Sequence, residues 1–186
     1  MKKFASSARQ KAVIYLERNL PSITDGFDLA ITTYALALAK SSRADIAFGQ
    51  MMRASREEDS MTYWGRTPIT TNRVRYEFNR PFLEAKDYQD NDALAVEATS
   101  YALLAIFQME GGSITFTQEK IVQWLNTMRL GDGGFISTVD TIVALHSLVV
   151  YSYHSRIKVG EIIIPMCRPK VKFLASLGHY RPRCGR

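Results

Sequence analysis

The sequence predicts an all-α protein of about six helices followed by an irregular basic tail. Three observations carry this. Apolar residues recur at helical spacing over residues 8–20, 25–40, 43–56, 93–109, 117–130 and 138–153, while strand-like alternation is scarce. The first, third and fifth of these segments are amphipathic, and the second, fourth and sixth are apolar over most of their circumference. A short motif also recurs in the apolar segments: TTYALALA at 32–39, TSYALLAI at 99–106 and, more loosely, TIVALHSLVV at 141–150.

The elements follow in chain order. Residues 8–20 form an amphipathic surface helix. Residues 25–40, with LAITTYALALA, form one that is apolar nearly all round and therefore buried. Residues 43–56 return to the amphipathic kind. The stretch 60–92 is long and irregular, with Pro68, Pro81 and separated aromatics, and it is expected to hold a short extended piece or helical turn near 80–86. The run LAVEATSYALLAIF makes residues 93–109 the second buried helix. Over 117–130, Ile121, Trp124, Leu125 and Met128 share one side, with Glu119, Lys120, Gln123 and Asn126 elsewhere. Residues 138–153 form the last buried helix. Ala35, Ala37, Ala102 and Ala144 allow buried helices to approach closely. Such hairpins cannot bury their faces alone, so they stack into a solenoid or close into a ring.

At 186 residues the chain is long enough for one domain with a sizeable core. No apolar run approaches the roughly eighteen residues that span a bilayer, so no transmembrane segment is expected. The first twenty residues begin with two lysines but contain no apolar stretch longer than AVIY, and no export signal is expected. The net charge of +6 lies entirely in the tail. Beyond Ile157 stand Lys158, Arg168, Lys170, Lys172, Arg181, Arg183 and Arg186 against Glu161 alone, which leaves the first 157 residues neutral. No DNA- or RNA-reading motif accompanies this basic tail, so no specific nucleic-acid partner is assigned. Both cysteines, Cys167 and Cys184, lie there too; they can form one disulfide, but neither a framework nor a zinc ribbon.

The turn GDGG at 131–134 invites a phosphate-binding reading. A phosphate loop needs GxxxxGK[ST] or GxGxxG after a strand, and neither residues nor strand are present. Gly131 suits a helix C-cap, Gly133 and Gly134 suit a reversal, and Ser137 with Asp140 makes a capping-box-like start for the next helix. The turn is a joint. His146 and His154 lack HExxH spacing, and His146 is expected in the core. Glu97, the sole acid of its apolar run, is expected in a helix-end or interior hydrogen bond. Asp87, Asp90 and Asp92 read as a solvated charge cluster without the DxDxDG calcium pattern. Thr62, Tyr63 and Trp64 read as a small satellite core under the loop. No catalytic, cofactor-binding or metal-binding residue is assigned, and no cofactor is expected.

VEATSYALLAIFQM, followed by IVQWLNTMR and GGFISTVDTIVALHSLVVYS, resembles the end of the thioester domain of the superfamily of complement C3, α2-macroglobulin and insect thioester-containing proteins. FDLAITTYALALAK fits an earlier inner helix, and the likeness covers about 8–153. The common STQDT is STVDT here, with Val139 in place of Gln. The resemblance implies an α/α toroid of twelve helices in inner and outer layers, of which this chain holds about half. In the family a Cys-Gly-Glu-Gln stretch forms an internal thioester that acylates a nearby surface or a trapped protease, in some members with help from a histidine. This chain has no CGEQ, no cysteine before residue 167 and no histidine before residue 146. Such residues are expected upstream of Met1 where the parent has them.

The resemblance implies a partial toroid over residues 1–157, from a secreted complement-like or macroglobulin-like protein of innate immunity, either opsonin or protease-trapping inhibitor. Its partners would be the remaining domains of a larger parent chain and, through that parent, a microbial surface, protease or receptor. It would supply scaffold and binding surface and would not act as an enzyme. Residues 158–186 depart from the family's return to a β-sandwich and read, from about Val159, as translated intron or an alternative exon, with a genuine short basic terminus as the alternative. Two alternatives stand beside this: a free-standing helical-repeat interaction scaffold, and a toroid enzyme like prenyltransferases or terpene cyclases. The helical region lacks the cysteine and DxDD that the enzymes require.

Overall fold

All six expected helices are present, arranged in two layers as in part of an α/α toroid. The computed structural model describes residues 2–69, 74–78, 80–83, 90–130 and 133–155, within a unit spanning Met1–Arg156. The elements are α1 (Lys2–Asn19), α2 (Gly26–Ala39), α3 (Ala44–Arg53), β1 (Arg56–Glu58), β2 (Met61–Tyr63), β3 (Val74–Glu77), β4 (Arg80–Leu83), α4 (Asp90–Glu110), α5 (Phe116–Thr127) and α6 (Thr138–His154). The expected tail, 158–186, lies outside the described residues.

Helix α4 lies between α2 and α6, its principal neighbours, and these three form the inner row. On the outside α1 and α3 pack on α2, while α5 packs on α4 and on β2. The alternation read from the sequence is thus a spatial one. Small residues let the inner helices approach: Ala30, Ala95, Ala98, Ala102, Ala105 and Ala144 are fully buried. A side chain on Gly65 would meet the Ala95 Cβ at 3.1 Å, so the loop after β2 runs tight against α4.

The helix ends follow local chemistry. Lys40, in the left-handed region at φ 56°, stops α2 with Lys40 N–H to Ala37 O and Ser41 N–H to Leu36 O, both 3.0 Å. Gln118 closes the α4–α5 connection from inside. Its Oε1 accepts from Thr115 N–H at 2.8 Å, and its Nε2 donates to Glu110 Oε2 at 2.8 Å and Ser113 O at 3.2 Å. It is completely buried, a role that the sequence reading placed nowhere.

Several expectations need correction. The extended piece expected near 80–86 is present as β4 (Arg80–Leu83), but it belongs to one of two antiparallel hairpins, β1–β2 and β3–β4, the first of which begins ahead of the irregular stretch. The first turns through Asp59 and Ser60, both at positive φ, as a two-residue turn compatible with strand twist requires. Helix α4 starts at Asp90, and α5 ends at Thr127 with Met128 as its cap, before the glycines. Helix α6 is not buried all round. Asp140, Ala144 and Ser147 are covered, but Val139, Ile142, Leu145, Val149 and Tyr153 are exposed.

Candidate functional site

The segment before and into α6 forms a built joint. Leu130 N–H donates to Gly134 O at 3.0 Å and Gly133 N–H to Leu130 O at 2.9 Å, with Gly133 at φ +87°. Ser137 N–H then donates to Asp140 Oδ1 at 2.8 Å, while Asp140 N–H donates to Ser137 Oγ at 3.3 Å. This is the predicted capping box, with the shorter Asp in place of Glu. Phe135 N–H reaches Thr141 Oγ1 at 3.0 Å and completes the turn. Gly131 and Asp132 lie outside the described residues.

Around Asp140 the inner row carries its main group of titratable side chains. Asp140 is buried, and its second oxygen, Oδ2, has no hydrogen-bond partner. Glu97, half-buried on α4, has its carboxyl pushed above the usual range, first by burial and then by the negative charge of Asp140. Tyr101 lies one turn along the same face of α4, and its hydroxyl is raised by burial, by Glu97 and by Tyr34. Tyr34 of α2 tilts against the Tyr101 ring at a centroid distance of 6.1 Å, and burial raises its hydroxyl as well. The expected hydrogen bond of Glu97 is not formed among the described residues. The patch therefore favours the neutral form of its central acid, and it contains no nucleophile paired with a base.

The other candidates are dispersed. His146 is exposed on α6 rather than in the core, because the helix turns that side away from α4 and α5. His154 stacks on Phe107 at 5.1 Å and packs on Gly112, apart from the Glu97 patch. Asp92 is buried, contrary to the expectation of a solvated cluster; Asp87 lies outside the described residues, as does the side chain of Asp90. Tyr63 and Trp64 belong to the main core instead of a satellite, and Thr62 is buried as well. Tyr63 stacks flat on Trp124 at 4.8 Å and its hydroxyl accepts from Ile69 N–H. Trp64 Nε1 donates to Met51 O at 2.7 Å and its backbone N–H to Thr99 Oγ1 at 3.0 Å. Among the described residues no three His, Cys, Asp or Glu side chains gather as metal ligands.

The geometry is thus that of a packed helical scaffold, and known proteins place it. The sequence profile of the A-macroglobulin TED domain matches residues 1–151. The chain belongs to the A-macroglobulin thioester-domain family. Complement C3 of Eptatretus burgeri is 32% identical over 152 residues, covering 80% of this chain and 8% of that protein. Complement C3 of Oncorhynchus mykiss is 30% identical over 145 residues, covering 77% and 7%. The chain therefore spans less than a tenth of the length of these curated relatives. No helix among the described residues is long and apolar enough to cross a membrane.

Proposed function

We propose that this chain is a piece of a secreted, complement-like or macroglobulin-like protein of innate immunity. It supplies toroid scaffold and binding surface and catalyses no reaction itself. The match of residues 1–151 to the A-macroglobulin TED domain, in relatives more than ten times longer, is the observation that supports this reading. The parent's other domains are its first partners. Its targets, reached through the parent, are a microbial surface, a protease or a receptor, and the thioester residues that this chain lacks belong to the parent where present. The working unit is residues 1–157; residues 158–186 are a foreign continuation, which sequencing spliced transcripts across Lys158 tests.

An antibody against residues 115–153 tests the main reading. The native antigen in extracellular fluid is expected to be far larger than 21.0 kDa. A species near 21.0 kDa found inside cells contradicts it and moves the function to a free-standing scaffold.

A further inference from the structure

The inner helices α2, α4 and α6 contain no lysine or arginine; their only basic side chains are His146 and His154, both exposed. Asp140 is the most enclosed of their described acids, at 1% exposed. Its Oδ1 serves the cap, accepting from Ser137 N–H at 2.8 Å and from Ser137 Oγ–H at 3.0 Å. Its Oδ2 is buried and has no partner. This chain's own atoms enclose that oxygen, so its want of a donor is independent of where the sequence begins and ends. A carboxylate oxygen so placed costs free energy until a donor reaches it.

Glu97 is the group placed to supply that donor. Two chain reversals separate α4 from α6, so the helices run parallel. Phe107 of α4 meets Tyr151 and His154 of α6 at ring-centroid distances of 6.4 and 5.1 Å. Counting back along both helices from these contacts sets Asp140 level with residues 93–96, directly before Glu97. The Glu97 side chain is half-buried and forms no hydrogen bond or ion pair among the described residues.

The other groups around α4 are engaged elsewhere or uncharged. Asp25 and Asp28, at the start of α2, act on Arg66. Lys120 of α5 pairs with Glu57 at 3.2 Å, and Glu119 acts on Tyr151. Asp45 and Arg53 stand at the two ends of α3, and the Tyr63 hydroxyl of β2 accepts from Ile69 N–H. On α4 itself Glu110 receives Gln118, Asp92 is buried, and Tyr101 stands beside Glu97 with Tyr34 of α2 against it. Asp140 is the one charge that acts on Glu97. Two carboxylates without a cation repel each other, and one proton held between them removes the repulsion and gives Oδ2 its donor.

We propose that Glu97 and Asp140 form a proton-operated latch, in which protonated Glu97 donates to Asp140 Oδ2 and holds the first turn of α6 against α4, and loss of that proton releases it. The latch is closed in acid and opens as pH rises through the Glu97 transition. It acts where the Leu130–Gly134 joint enters α6, and it rests on this chain's residues without reference to a parent's activity.

Two readouts on the full chain test it. Carbon-13 NMR of glutamate side-chain carboxyls follows the proton, and hydrogen exchange of the Asp140 and Thr141 amides, corrected for the intrinsic pH dependence of exchange, follows the latch. Glu97 is expected to titrate above the ordinary glutamate range, with protection of both amides lost over the same interval. Glu97→Gln, whose Nε2 donates at every pH, should keep that protection throughout. Asp140→Asn retains a capping oxygen and removes the like charge, so it should move the Glu97 midpoint down. A midpoint that Asp140→Asn leaves in place means that burial alone acts on Glu97, and it overturns the inference. So does α6 protection that does not follow the Glu97 transition. Should Asp140→Asn lose its helical signal by circular dichroism, the exchange profiles of wild type and Glu97→Gln decide: profiles that differ as stated support the latch, and parallel ones overturn it.

Discussion

Ser137 and Asp140 hold each other across the first turn of α6, through Ser137 N–H to Asp140 Oδ1 at 2.8 Å and Asp140 N–H to Ser137 Oγ at 3.3 Å. Each satisfies a donor that the start of a helix leaves open. Ser137→Ala is expected to lower stability by about 1 kcal/mol. Asp140→Ala should cost more, since it also removes a buried side chain and its favourable charge at the helix N-terminus. Urea midpoints of the two variants check the order.

Glu97 gives stability a pH dependence of defined sign. Burial, reinforced by Asp140, raises its folded pKa above the unfolded value. Its contribution is therefore fully present below the unfolded pKa and is lost as pH rises through the folded one. Glu97→Gln should flatten this part of the profile and stabilise the protein near neutral pH relative to wild type. Thermal melts from pH 4 to 8 read it. A wild-type profile that the substitution leaves unchanged refutes the assignment.

Gly111 and Gly112 both stand at positive φ after α4, yet they should respond differently to alanine. At Gly111 the added Cβ meets nothing within 4 Å, so only the backbone preference of about 1 kcal/mol is expected. At Gly112 it would lie 2.3 Å from the His154 ring, which adds an overpacking cost of about 1–3 kcal/mol. A double-mutant cycle with His154→Ala should return that second part and leave the first.

Thr99 of α4 receives the backbone N–H of Trp64 at 3.0 Å and so ties the segment after β2 to the inner row. Thr99→Val keeps the shape and leaves a buried donor without an acceptor. A loss of about 1–3 kcal/mol is expected in equilibrium denaturation. A loss below about 0.5 kcal/mol would mean that the segment re-satisfies the group by shifting.

Helix type, helix order and the capped turn before α6 were legible because they depend on neighbours within a few residues. Trp124, Leu125 and Met128 recur at a spacing that can serve only one buried face. Ser137 and Asp140 stand three apart, the distance that a first turn brings together. An extended piece near 80–86 was legible, but the pairing into hairpins was not, since three- and four-residue strands are too short to show alternation. The buried Gln118 and Asp92 were missed because polar side chains give no apolar signal even where a fold encloses them.

The sequence by itself determined an all-α repeat of buried and surface helices and membership in a family, since periodicity and motif order are properties of one dimension. Only the tertiary structure decided which sides of those helices are covered. Ile142 and Leu103 are alike in apolar character and sit in matching segments, yet one is exposed and the other fully buried. The difference is the next helix in space, and no residue of a segment encodes what stands beside it.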